Sequence, residues 1–563
     1  MTFKAAISFI VMMFSILLNT FDSLIPWFTP APKSEAELVE IVERFDEYSI
    51  EEEITVIKSS RFTNAQMHTL ISLQGLVSRT NPAIFIDYGY QSNKDALSEL
   101  EKAGYKILYN DENGEPWSFD ALINRFKSYI ADNGYILYAT PDDHGQLNTA
   151  TNLATINGWL PVSANLEEAV VALGLEKRAD ISNDNIDLAY LKKFYNEYKD
   201  CFRKDSLVHM YYYAKGMRDF AIQQNIFVLY IEDADYEGRL FRDKVMRDLK
   251  PTSIIFGWCQ YEIKFTESAS RFGHTVIPSD HSYNLSILAS FNATDEKIGS
   301  LNETETKTEL DPTKHYVAIV YSDGDNAQWI QNGFNEYHTW QSYNNDVPVT
   351  WTFAPIIAEI ADVDIVRTMN AYNRGAFITG PSGGGYSRIT KMNAKELEAF
   401  SDLTAAMMLE SGMTVMTLLD EMIDGSFDTV MQSKLRYFAR YDNIHGGILQ
   451  LDPNNYAGGG GRVYFVNDKP FITVGHSLWY PTGNASDVTN EWLAEQAAII
   501  NAKPADINSI NGYTVINVHP WTVGPDDLAY FVSQLGDNVE VITATEMIDA
   551  VSENVPHKYA IPE

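Results

Sequence analysis

Eight short apolar runs in the C-terminal half set the tightest limit on what this chain can fold into. They are residues 316–321, 347–353, 376–379, 414–419, 447–451, 470–474, 513–518 and 539–543. Just past their ends lie Asp323 and Asp325, Pro355, Ser382, Asp420 with Glu421, Asp452, His476, His519 and Glu546. Continuous Val/Ile/Leu-rich stretches are the signature of parallel strands buried on both faces. Helix-length segments separate most of them, which is a β-then-α rhythm. In a (β/α) barrel the C-terminal strand ends converge on one mouth, and chemistry sits there. The expected class is therefore α/β, with a C-terminal (β/α) barrel-like domain whose carboxylates and two histidines share one cleft.

At 563 residues the chain is too long for one hydrophobic core and should form two to four domains. Its 76 acidic and 42 basic side chains give a formal net charge of −34. Such a chain is repelled by nucleic acid and anionic lipid, and no Lys/Arg cluster offers a local basic groove. Lys4 followed by an apolar run over 5–18 reads as a secretory signal, or as an anchor left uncleaved before Asp22 and the Pro-rich 26–32 stretch. Residues 1–33 are assigned to that segment, and the mature protein is expected to be secreted or extracellular. Cys201 and Cys259 read as buried free thiols, with a disulfide as the alternative. Sequons stand at Asn284, Asn292, Asn302 and Asn484.

Along the chain, residues 35–47 read as an amphipathic helix. A βαβ-type unit follows, with strands at 54–58 and 83–87. A second alternation runs from 134 to 175. A third section carries apolar runs at 226–230, 253–256 and 275–278. Residues 297–314 are polar and Glu/Thr-rich and read as a linker. Gly458–Gly461 reads as a flexible loop tip.

The segment Gly380-Pro-Ser-Gly-Gly-Gly-Tyr386 resembles the signature of the GxGYxYP family, mostly bacterial secreted proteins carrying a glycoside-hydrolase label. Other stretches agree in order: Leu73-Gln-Gly-Leu-Val-Ser-Arg79 with Asn81-Pro82, Phe256-Gly-Trp258 with Glu262, Ser279-Asp280 and Asn284-Leu-Ser286, Tyr321-Ser-Asp-Gly-Asp-Asn326 with Gln328-Trp329, and Asn517-Val-His-Pro-Trp521. The second half of the signature departs, with Ser387-Arg388-Ile389 standing where the family has x-Tyr-Pro. The resemblance implies three small N-terminal domains, at 34–112, 113–181 and 182–305, before a barrel-like domain at 306–563. The expected substrate contacts are Trp258, Glu262, Asp280, Asn284, Asn326, Trp329, Ser382, Gly385, Tyr386, His476, His519 and Trp521. Asn284 is both a sequon and part of a family stretch, so it is expected to remain unglycosylated.

Asp323 and Asp325 flank a Gly directly after a strand, which can aim both carboxylates into one cleft. Like charges this close raise one pKa and suit a general acid. The pair does not complete a calcium loop, because that pattern fails at Ala327. Of Asp420 and Glu421, strand neighbours that point to opposite faces, Glu421 is the stronger catalytic candidate. Asp452 precedes a Pro and is either catalytic or a turn starter. His519 and His476 could bind a hydroxyl or move a proton. Trp258, Trp329, Trp351, Tyr386 and Trp521 are candidate sugar platforms, with core packing as the alternative. The glycines at 383–385 would allow close backbone approach to a ligand.

Three readings follow. The first, which we favour, is a glycoside hydrolase with Asp323 or Asp325 on one side of the scissile bond and Glu421 or Asp452 on the other. It would act on a poly- or oligosaccharide with no cofactor and no bound metal. The second is a metal-dependent polysaccharide deacetylase-like hydrolase. The third is a non-catalytic glycan-binding protein.

Overall fold

The computed structural model describes residues 29–42, 45–141, 145–211, 213–293, 309–324, 326–328, 330–331, 347–371, 375–422 and 427–562. Most of the N-terminal signal or anchor segment, the Asn302 sequon and most of the 297–314 linker lie outside these residues.

Three small parallel sheets precede a large one. The first holds β1 (Glu53–Lys58), β2 (Ile84–Asp87) and β3 (Lys106–Leu108) in the order β2-β1-β3. The second holds β4 (Gly134–Tyr138), β5 (Leu160–Ser163) and β6 (Glu176–Asp180) in the order β5-β4-β6. The third holds β7 (Ser206–His209), β8 (Phe227–Leu229), β9 (Ile254–Gly257) and β10 (Thr275–Ile277) in the order β10-β9-β7-β8. The helix Asn64–Ser78 is buried almost all round, so its sequence carries no apolar stripe. It starts at a capping box in which Thr63 and Gln66 satisfy each other's backbone N–H groups.

The large sheet contains β11 (His315–Tyr321), β12 (Val349–Phe353), β13 (Gly375–Thr379), β14 (Val415–Glu421), β15 (Gly446–Asp452), β16 (Val463–Val466), β17 (Lys469–Thr473), β18 (His476–Leu478), β19 (Tyr513–Val518) and β20 (Val539–Ile542). Its order is β16-β17-β15-β14-β13-β12-β11-β19-β18, and every pair is parallel except β16 with β17. All eight apolar runs are strands of one curled, half-barrel sheet. β12 pairs only with Val320 and Tyr321 of β11, while β20 pairs with His315–Ala318 on the first half of the same strand. The eighth run therefore ends at mid-height, where Ala544 N donates to Thr350 Oγ1. Glu546 stands away from the mouth and closes a capping box with Thr543.

Buried side chains tie the upper ends of three strands together. Ser322 Oγ donates to Gln450 Oε1 at 3.1 Å, and Gln450 Nε2 donates to Asn517 Oδ1 at 2.7 Å. This chain of bonds joins β11, β15 and β19 and fixes the floor of the mouth.

Several local expectations change. Both cysteines are free, but Cys201 is exposed and only Cys259 is buried. The Gly458–Gly461 run is packed at its start, since a Cβ on Gly458 would lie 2.6 Å from Leu451 O and one on Gly459 would lie 2.3 Å from Thr473. Among the described residues, no helix is long and apolar enough to cross a membrane.

Candidate active site

The Gly-rich signature is a splice between the third sheet and the large one. Gly383 N donates to Thr417 O, and Ser382 Oγ accepts from Leu419 N at 2.7 Å, which lays the segment along β14. A Cβ on Gly383 would lie 2.7 Å from Thr404, and one on Gly385, whose φ is +151°, would lie 2.3 Å from Thr275 Oγ1. The space above these glycines is thus filled by protein, which corrects the expectation of a ligand there. Ser382 and Gly385 hold the backbone instead of lining the cleft. Val276 and Tyr386 exchange both backbone hydrogen bonds at 2.9 Å, so the segment adds itself to the open edge of β10.

That splice sets Tyr386 against the third sheet. Its hydroxyl donates to Glu262 Oε1 at 2.6 Å and accepts from Arg388 Nη2 at 3.2 Å. Trp258 stacks on its ring, with centroids 6.2 Å apart. Burial, and then the Glu262 charge, push the phenol well above its ordinary pKa, so it stays a donor. Burial chiefly, with the charges of Asp323 and Asp452, also pushes the Glu262 carboxyl up; the Tyr386 bond and Arg388 pull the other way.

Asp323 approaches from the end of β11. A Cβ on Gly324 would lie 2.9 Å from Glu262 Oε1 and 2.7 Å from the Tyr386 ring, so the Asp323 loop and Glu262 meet directly. The Asp323 carboxylate faces three donors: Tyr456 Oη at 3.3 Å, Gly324 N at 2.7 Å and His519 Nε2 at 3.3 Å. His519 is oriented by Thr522 Oγ1 on Nδ1 at 3.1 Å and lies flat on Trp479 at 3.8 Å.

A second acidic group stands on the far side of Arg388. Glu421 and Asp452 are register partners on β14 and β15. Asp452 Oδ2 is 4.0 Å from Arg388 Nη2, and Glu421 Oε2 is 3.9 Å from Lys391 Nζ. Burial pushes the Asp452 carboxyl up, against the pull of Arg388. Asp420 does not join them. It is fully buried and accepts from Thr390 N, Thr390 Oγ1 and Glu421 N. It anchors the short helical turn Ile389–Lys391, and burial raises its pKa despite those donors.

These contacts bring Asp323, Glu262, Tyr386, Trp258, Glu421, Asp452 and His519 into one cluster. Asp280 is buried just past the end of β10. Asn284 is 2% exposed and clasps the first sheet, with Oδ1 accepting from Gln74 Nε2 and Ile86 N and Nδ2 donating to Ile86 O. Its side-chain amide is taken up by these bonds, which tie the third domain to the first. His476 is turned out of the mouth, in reach of Gln496 and Lys503, and burial lowers its pKa to about 4. Trp521 packs half-buried against the main apolar core, and Trp351 is buried in a stack with Tyr321. Asp325 and Trp329 lie outside the described residues; Asn326 begins the short helix Asn326–Gln328, and its side chain lies outside them too.

Sequence reasoning missed Arg388, Tyr456 and Trp479 as parts of the site. Tyr456 follows the Asp452-Pro453-Asn454-Asn455 turn, and in the structure it holds a φ of +71°, a costly conformation for a bulky residue. Arg388 was visible as the departure from the family signature.

Residues 207–290 match the model described as "GxGYxYP third domain", and residues 313–551 match "GxGYxYP putative glycoside hydrolase C-terminal domain". No curated protein matches the chain. A crystal structure titled as a "putative hydrolase" from Bacteroides thetaiotaomicron VPI-5482 covers 93% of this chain and 99% of that one, with a TM-score of 0.78 at 23% identity, a likeness of fold. With the third and C-terminal domains matched in order and joined through the signature segment, the chain belongs to the GxGYxYP family.

Proposed function

We propose that this protein is a glycoside hydrolase acting outside the cell, with Glu262 as general acid and Asp323 as nucleophile or base. Glycoside hydrolysis needs two carboxylates flanking one bond, one protonated and one charged. The observation that carries the reading is the contrast between these two neighbours. Burial raises the Glu262 pKa, which favours the protonated acid. Asp323 is ringed by a phenol, an amide and an imidazole, all able to donate to an anion. Environments that separate two titrating groups in this way assign acid and base.

Tyr386 engages Oε1 of Glu262, so the proton is carried on Oε2 and passes to the glycosidic oxygen as the bond to the anomeric carbon breaks. Asp323 either attacks that carbon or takes a proton from the water that does. Glu421 and Asp452 accept sugar hydroxyls, and Trp258 offers a ring face. The bonds of Val474 N to Leu449 O and of Gly475 N to Val515 O, on consecutive residues, support reading the curled sheet as a barrel closed by the bent stretch of β17 and β18.

The test incubates the wild type, Glu262→Gln and Asp323→Asn with a panel of polysaccharides and glycoprotein glycans, with products read by mass spectrometry. New reducing ends that survive EDTA and fall at least ~100-fold in both variants are expected. Products made equally well by Glu262→Gln would sink the assignment. His519 Nε2 lies 3.3 Å from Asp323 Oδ2, a pair that could also serve a metal in a deacetylase-like hydrolase. Acetate release abolished by EDTA would favour that second reading.

A further inference from the structure

Exposed tyrosines are concentrated on one edge of the third sheet. Four tyrosines among the described residues are exposed, and Tyr213, Tyr236 and Tyr261 follow the carboxyl ends of β7, β8 and β9, with Tyr109 elsewhere. Tyr211 stacks on Tyr213 at 5.2 Å and 17°, and meets Tyr230 at 4.6 Å. The strand order β10-β9-β7-β8 reverses direction at β7 and β9, and ligands of parallel sheets bind in the crevice outside such a switch point. The same edge carries Trp258 and Glu262 after β9, flanking Tyr261 in the chain.

An independent observation points to a polar ligand there. Asp280, at the end of β10, is 7% exposed, and its Oδ1 is buried without a hydrogen-bond partner. Its Oδ2 is 3.8 Å from His281 Nε2. Asp280 lies near Tyr211, whose phenol is pushed up by burial and, more weakly, by the Asp280 charge. The backbone at Asp280 also packs against Gly216, just past the tyrosine loop, where a Cβ would lie 2.5 Å from Asp280 O. A buried carboxylate oxygen without a donor is costly unless a ligand supplies one.

We infer that this edge is a second sugar-binding subsite, taking further units of the same glycan. Pyranose rings lie on the Tyr211–Tyr213 pair, and a sugar hydroxyl donates to Asp280 Oδ1. An aromatic ring presents an apolar face with a polar rim, which matches the C–H face and hydroxyl edge of a pyranose. The inference rests on the hydrolase reading for the identity of the ligand, and its test separates the two.

Gluco-, manno-, galacto- and xylo-oligosaccharides of two to six units are titrated calorimetrically into Glu262→Gln protein, alone and with Tyr213→Ala or Asp280→Asn. The same series is given to the wild type and to Tyr213→Ala for hydrolysis. Tyr213 is exposed, so its loss leaves folding intact; Tyr213→Phe serves as the conservative control. The expected result is an affinity gain of about tenfold from short to long chains that Tyr213→Ala removes and Tyr213→Phe restores. Cleavage whose length dependence is unchanged in Tyr213→Ala overturns the subsite and leaves the hydrolase standing. Tyr213-dependent binding without cleavage keeps the subsite and overturns the hydrolase. A panel that neither binds nor reacts overturns both.

Discussion

Replacing Tyr386 by Phe deletes one hydroxyl and leaves a buried ring in place. That hydroxyl donates to Glu262 Oε1 at 2.6 Å and accepts from Arg388 Nη2 at 3.2 Å. With Glu262 protonated, the lost bonds are worth about 0.5–1.5 kcal/mol; with it ionised, the Glu262 bond becomes charge-assisted, at about 1.5–3 kcal/mol. The Glu262 pKa in the folded protein lies above its unfolded value, so the native state holds a proton the unfolded chain has lost. Stability from that proton is present at low pH and is lost as pH rises through the folded pKa. Removing a donor that favours the carboxylate moves the folded pKa higher still. The variant therefore goes on losing stability after the wild type has levelled off. The deficit of Tyr386→Phe should widen from about 1 kcal/mol at low pH, where Glu262 is protonated, to about 2–3 kcal/mol at high pH, where it is ionised. Urea unfolding followed by tryptophan fluorescence measures it, with Trp258 stacked on the mutated ring as a local reporter. The alkaline limb of the pH–rate profile should move upward in step, because the acid keeps its proton longer. A deficit equal at low and high pH would refute the coupling of Tyr386 to Glu262 ionisation.

Two further outcomes follow from the placement of single side chains. Peptide mapping after expression in a glycosylating host should find Asn284 bare while exposed Asn484 can be occupied, and Asn284→Ala should cost about 1–3 kcal/mol by stranding the Ile86 backbone groups. His476→Ala should leave hydrolysis within about twofold of wild type, because the ring is half-buried toward Gln496 and Lys503; a large drop in kcat would contradict that orientation.

The strands were legible because burial on both faces writes itself as unbroken apolar runs, as in the fully buried His315–Tyr321. Their closure was not. Whether β20 completes a ring or shares one side of β11 with β12 depends on how far two strands splay, and no local pattern records that. Asp323 could be read from its place at a strand end. The roles of Glu262, Arg388 and Tyr456 could not, because each reaches the cleft from a segment far away in sequence. The glycines at 383–385 were misjudged for a physical reason: a missing Cβ admits either a ligand or a neighbouring chain. Here Thr404 and Thr275 occupy the space. Asp420 and Glu421 show the same limit, since alternation along β14 separated them but could not tell which was pinned by Thr390.

The pair of backbone bonds between Val276 and Tyr386 also bears on how such a protein can evolve. A barrel that carried all its chemistry on its own loops could exchange its neighbours freely by recombination. Here Glu262 would be parted from Tyr386 and the Asp323 loop if the third domain were traded away, and the discarded partner would be left with a bare, aggregation-prone strand edge. The two segments therefore depend on each other as a single structural unit.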